Sequence, residues 1–248
     1  SYIFTRRGGK MFRKAILIIH GFGGGVYDEE YLSTELEFIN GYDVFTFTLP
    51  GHDTMPGKYT RADWIRCSSH HLENLINHGY KTIYVIGHSM GGVIATYLAS
   101  KYKEVKKLVL AAPAFHYLKF KDNKPDIIKS LKFSPEVIKE YKADVILNRI
   151  FLLPKHALRE FMNLISENYD TPKSVKVPTL IIIGSKDNIV PFSSAKYVYE
   201  NLLTKKKELL LVKGINHDIF RSERKEEVTS EIIEFLSKGV NTEVKREI

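Results

Sequence analysis

The chain has 248 residues, with 37 lysines and arginines against 29 aspartates and glutamates, a formal charge of +8. Apolar residues make up 44% and charged residues 27%, proportions of a folded globular protein of one or two domains whose core needs no disulfide or metal. The one cysteine, Cys67, excludes an intrachain disulfide framework and a cysteine-based zinc site and favours the cytoplasm.

No apolar run approaches the ~20 residues of a membrane-spanning helix. The basic segment Ser1 to Lys14 leads into a short strand, not into a signal-peptide core. A basic balance suits nucleic acid, but net charge reports chiefly on solubility, so no nucleic-acid partner is expected.

Six short apolar runs follow in order: Ala15 to Ile19, Val44 to Thr48, Ile83 to Ile86, Leu108 to Ala112, Leu180 to Ile183 and Leu209 to Val212. Each is nearly continuous, the pattern of a strand buried on both faces of a parallel sheet. Helix-period stripes lie between them, as in Leu32, Leu36 and Ile39, in Trp64, Ser68, His71 and Leu75, and in Val228, Ile232, Phe235 and Leu236. Strand alternating with helix predicts an α/β fold, a mostly parallel central sheet with helices on both faces.

One interval breaks the alternation. About 60 residues between Ala112 and Pro178 carry no strand signal, far more than a single crossover needs. They hold three helical stripes: Ile127, Ile128, Leu131; Ile138, Tyr141, Val145; and Leu158, Phe161, Ile165. These predict a helical cap over residues 116–172, dividing the core into 1–115 and 173–248. The tail after Lys238 is polar and reads as frayed.

After the third run the chain reads Gly87-His88-Ser89-Met90-Gly91-Gly92 and then turns helical. This is G-x-S-x-G between strand and helix, where glycines let the two elements approach and a strained turn lifts the serine hydroxyl. A glycine-rich turn could carry the same letters, so the other loops decide. The first strand ends in His20-Gly21-Phe22-Gly23-Gly24-Gly25, which lacks the acid of a dinucleotide fingerprint and the G-K-[ST] ending of a phosphate loop. Asp187 follows the fifth run and His217 the sixth, so Ser89, Asp187 and His217 all lie beyond the carboxyl ends of strands.

These motifs, with Pro50-Gly51-His52-Asp53, resemble the α/β-hydrolase family, and within it the small carboxylesterases and monoacylglycerol lipases. The resemblance covers most of the chain except the cap, which in that family sets specificity. Gly51-His52-Asp53 departs from the Gly-His-Gly of many relatives. The resemblance implies Ser89 as nucleophile, His217 as general base and Asp187 as its orienting acid, with Asp218 the less favoured rival. The Phe22 and Met90 amides would form the oxyanion hole.

His20 and His88 are expected to orient loops, and Cys67 to be a small packing residue. No His/Asp/Glu spacing suits a metal, and no cofactor is expected. Phe22, Phe115, Phe133, Tyr141, Phe151 and Phe161 are candidates to line an apolar pocket.

The expected function is hydrolysis of small to medium acyl esters, monoacylglycerols being candidates, through an acyl-enzyme; the protein would be a monomer or a homodimer. A thioesterase, a proline-iminopeptidase-like peptidase or a carbon–carbon hydrolase could use the same triad. A non-catalytic ligand binder could use the same fold. Residues 15–57 hold seven acids and neither lysine nor arginine, which predicts a site that disfavours anionic substrates.

Overall fold

The computed structural model describes residues 13–53, 57–116, 120–121, 124–125, 154–187 and 189–248. In chain order the elements are β1 (Lys14–Ile19), α1 (Glu30–Glu37), β2 (Tyr42–Phe47), α2 (Arg61–Asn77), β3 (Ile83–His88), α3 (Met90–Lys101), β4 (Val105–Ala111), β5 (Phe120–Lys121), β6 (Lys124–Pro125), α4 (Lys155–Asn168), β7 (Thr179–Gly184), α5 (Phe192–Asn201), β8 (Lys207–Val212), α6 (Lys225–Lys238) and β9 (Glu243–Glu247). The six expected runs are six of these strands.

Seven strands form one sheet in the order β2-β1-β3-β4-β7-β8-β9, each pair parallel. Its centre is apolar on both faces: every residue of β3 and β7 is buried. Helices supply the cover, with α1 packed on α6 and α2 on α3 and α4. α2 begins at a capping box in which the Thr60 side chain accepts from the Asp63 amide and the Asp63 carboxylate accepts from the Thr60 amide at 2.8 Å.

The chain leaves β1 toward β2 on one side and leaves β3 toward β4 on the other. Between the carboxyl ends of β1 and β3, where Ile19 pairs with Gly87, the connections therefore part and open a crevice. The glycine loop and Ser89 both emerge there.

Two expectations change. The tail is not frayed: β9 lies parallel to β8, with Lys207 opposite Glu243 and Leu211 opposite Glu247. Its residues are mostly exposed, as suits an edge strand, and their charges find partners on β8, as in Arg246 with Glu208 and Glu243 with Lys207, and on α6, as in Arg246 with Glu231. A charged edge strand looks like a polar tail because only its backbone is committed to the sheet.

The cap interval also contains strand: β5 and β6 pair antiparallel. Of its three stripes, Leu158, Phe161 and Ile165 fall on α4, where Phe161 and Ile165 are buried. The other two stripes, with Phe133, Tyr141 and Phe151, lie outside the described residues.

Candidate active site

The turn after β3 is strained. Ser89 adopts φ 54° and ψ −116°, a conformation that costs on the order of 1–3 kcal/mol. Three backbone bonds hold it: Ser89 N–H donates to Ala111 O at 2.9 Å, and Ser89 O accepts from Gly92 N–H at 2.9 Å and Ala114 N–H at 3.1 Å. Close approach requires the flanking glycines. A Cβ on Gly87 would overlap the Gly91 carbonyl, and one on Gly91 would overlap the carbonyl of Ile19 on the neighbouring strand.

The glycine loop lies directly against the serine. A Cβ on Gly21 would sit 3.1 Å from Ser89 Cβ and 3.7 Å from its Oγ. The Gly21–Phe22 peptide is thus beside the hydroxyl. Met90 opens α3, so its N–H is among the first helix amides, which have no acceptor within the helix and favour negative charge.

Behind the loop, His20 accepts from Leu49 N–H through Nε2 at 2.9 Å. Its Nδ1 therefore carries the proton and donates to Gly21 O at 2.8 Å. Burial holds this ring neutral, its pKa driven down to about 3. His20 thus orients the loop, as expected.

On the far side of the crevice, Asp187 and His217 meet. Asp187 Oδ2 accepts from His217 Nδ1 at 2.8 Å, and Asp187 Oδ1 accepts from the amides of Ile189 and Val190 at 3.0 and 2.8 Å. Both side chains are almost wholly buried. Their loops are joined, since Lys186 N–H donates to Ile215 O at 2.9 Å and Gly214 N–H to Ser185 Oγ at 2.9 Å. Asp218 instead faces Arg221, with 3.9 Å between Oδ2 and Nε.

The link from His217 to Ser89 runs through a pair that sequence reasoning did not find. His88 Nε2 donates to His217 O at 3.0 Å, and its Nδ1 faces Glu29 Oε1 at 3.1 Å. Both side chains are buried. Burial opposes a charge on His88, yet the bond to Glu29 and its negative charge more than offset this, and the pKa stands at about 9. Burial lifts Glu29 to about 7, with the bond to His88 pulling the other way. Fifty-nine positions separate the partners, a spacing that no local pattern reveals.

The acids of residues 15–57 do not act as one field at the site. Glu29 is paired with His88, Asp28 with Arg221, and Asp43 with Arg13 at the amino end of β2, the opposite end of the strands from the crevice. The expected charge preference therefore loses three of its seven acids.

Three of the six aromatic candidates are placed. Phe161 of α4 stacks on Phe22 with ring centroids 4.8 Å apart, and Phe22 also meets Trp64 and His52 edge-on. Phe115 is fully buried two residues from Pro113, with its ring against Tyr197. Cys67 is half-buried, and burial pushes its thiol pKa up, away from the reactive thiolate. Among the described residues no group of three or more His, Cys, Asp and Glu could hold a metal ion.

Comparison with known proteins agrees with this fold. A carboxylesterase of Bacillus subtilis (strain 168) is 25% identical over 95% of this chain and 96% of its own. Among solved structures, one described as LipS and LipT, two metagenome-derived lipolytic enzymes, superposes with a TM-score of 0.74 at 22% identity, covering 91% of this chain and 94% of that one. A soluble variant of monoglyceride lipase from Saccharomyces cerevisiae, in complex with a substrate analog, gives 0.72 at 23% identity, covering 93% and 88%.

The profile of a family described as serine aminopeptidase, S33 matches residues 10–225. A parallel sheet, a strained serine after its third strand and a match along most of the chain together place this protein in that family, within the α/β-hydrolases.

Proposed function

We propose that the protein is a serine carboxylic-ester hydrolase that cleaves small to medium acyl esters, monoacylglycerols among them, through an acyl-enzyme on Ser89. The observation that carries this reading is the 2.8 Å bond between Asp187 and His217, on loops tied to the strand end that presents a strained, helix-capping Ser89.

With Nδ1–H held by Asp187, His217 keeps a lone pair on Nε2. That nitrogen takes the Ser89 proton as Oγ attacks the ester carbonyl. The Phe22 and Met90 amides hold the negative oxygen; the loss of one such donor typically costs on the order of 100-fold. His217 then protonates the leaving alcohol, and a water activated by the same ring releases the acid. Phe22 and Phe161, with the buried Phe115 behind, supply apolar surface for the acyl chain. The named activities of the Bacillus subtilis carboxylesterase and the yeast monoglyceride lipase support the same substrate class.

The test is steady-state hydrolysis of p-nitrophenyl esters of graded chain length. Wild type should turn them over, and Ser89→Ala should fall by ~10⁴-fold or more. A folded wild type that hydrolyses none of the series would refute the reading.

The family description favours a second reading, removal of amino-terminal residues from peptides. Such an enzyme needs a carboxylate for the substrate amine. Three carboxylates of the loops around Ser89 are committed: Glu29 to His88, Asp187 to His217, and Asp28 to Arg221 and the Gly25 amide. Esters are therefore preferred, and turnover of alanine or proline p-nitroanilide above that of p-nitrophenyl butyrate would reverse the order.

A further inference from the structure

The buried Glu29–His88 pair touches no substrate in the mechanism above, yet it joins three loops that the mechanism needs. Glu29 ends a short helical turn, Val26–Glu29, that follows the glycine loop. Its neighbour Asp28 accepts from Gly25 N–H at 3.1 Å and from Arg221 Nη1 at 3.2 Å, binding that turn to the glycine loop on one side and to the segment after His217 on the other. His88 precedes Ser89 and donates to the carbonyl of His217 itself. Its ring lies 5.1 Å from the His217 ring and edge-on to Phe220 at 5.5 Å.

The proton positions follow from the acceptors. His88 Nε2 faces a carbonyl oxygen, which can only accept, so Nε2 must carry hydrogen. Nδ1 faces a carboxyl group. Either His88 is a cation against the Glu29 carboxylate, or a neutral ring accepts from the protonated acid. Both arrangements keep Nε2–H. Without Glu29, a neutral ring could move its hydrogen to Nδ1 and turn a lone pair toward the His217 carbonyl, which repels it. The other charged or titratable groups around the pair are Asp28, Asp218, Arg221, His20 and His217, with Asp187 beyond.

We propose that Glu29, acting through His88, is a positioning residue of the active site: it keeps hydrogen on His88 Nε2, and that N–H fixes the main chain of His217 against the strand end that carries Ser89. The proposal rests on the reading of Ser89 as nucleophile and His217 as its base. It asks nothing of the substrate.

Glu29→Gln and Glu29→Met separate it from a packing role. A glutamine amide can donate to Nδ1 and leave hydrogen on Nε2, whereas methionine has a similar shape and cannot. The readouts are kcat and KM for p-nitrophenyl butyrate and the rate of fluorophosphonate labelling at Ser89, taken at a temperature where circular dichroism shows each variant folded.

Glu29→Met should lower kcat and the labelling rate ~10–100-fold with KM within about twofold, because misplacing a catalytic group by ~1 Å costs on that order. Glu29→Gln should restore most of both. Wild-type labelling by a folded Glu29→Met would overturn the proposal. Should that variant not fold, nitrogen-15 spectra of the wild-type histidines decide: His88 must hold hydrogen on Nε2 from about pH 6 to 8, and a bare Nε2 overturns it. A wild type that labels at Ser89 but cleaves no ester sinks the ester reading alone, and the labelling comparison still decides the role of Glu29.

Discussion

Asp187 divides its two oxygens between tasks: Oδ2 toward His217 Nδ1, Oδ1 toward the amides of Ile189 and Val190. Asparagine at this position can still accept from both amides through Oδ1, so the loop should keep its shape. The new NH2 group would then face Nδ1 as a donor and stabilise the wrong tautomer of His217. Asp187→Asn should therefore lower kcat for p-nitrophenyl esters by ~10³–10⁴-fold while the protein stays folded. Asp218→Asn should cost far less, and the reverse ranking would exchange the two acids. At this scale the loop positions of Ser89, Asp187 and His217 were legible because each lies just past an apolar run, and the 2.8 Å meeting of Asp187 with His217 followed only from the fold. Glu29 was not legible, because its value depends on a ring brought to it by a different strand.

Among the elements, the role of β9 was hidden. Its pairing covers the outer edge of β8, whose residues are otherwise apolar in the run Leu209 to Val212. Deleting residues 240–248 would leave that row of backbone donors and acceptors bare, an invitation to edge-to-edge pairing. The truncated protein should melt several degrees lower and scatter light on heating, as followed by calorimetry and static scattering. An unchanged melting temperature would mean that the pairing contributes nothing. The inner strands were legible because burial on both faces leaves an almost unbroken apolar run, whereas the exposed, charged β9 carries no such mark. The helix α4 was legible too: the 3.6-residue stripe of Leu158, Phe161 and Ile165 is the face by which it meets the core.

For the whole molecule, three buried titratable groups set opposite limits on stability. His20 has its folded pKa depressed to about 3 from an ordinary 6.5, so below 6.5 the unfolded chain binds a proton that the native state refuses, and stability is lost as pH falls toward 3. His52, His71 and His116, also depressed by burial, act in the same direction. Glu29 and His88 are raised, so the native state holds protons that the unfolded chain releases. Their stabilisation is complete below the ordinary values of 4.5 and 6.5 and is lost as pH rises through the folded ones, about 7 and about 9. The melting temperature should peak near neutrality and fall on both sides between about pH 4 and 10. Glu29→Gln should flatten the alkaline limb, because His88 then loses the carboxylate that raises it, and an alkaline limb of unchanged slope would contradict the assignment.

The sequence by itself determined the parallel sheet, the strained serine turn and the loops that bear the candidate acid and base, because each is written in residues close together: an apolar run, a glycine two positions away, an acid or histidine just past a strand. The tertiary structure alone decided which acid meets His217, that His88 bridges Glu29 and the His217 carbonyl, that α4 sets Phe161 on Phe22, and that the tail is an edge strand. Those depend on partners far apart in the chain, whose contacts arise only once the sheet order has brought their strands side by side.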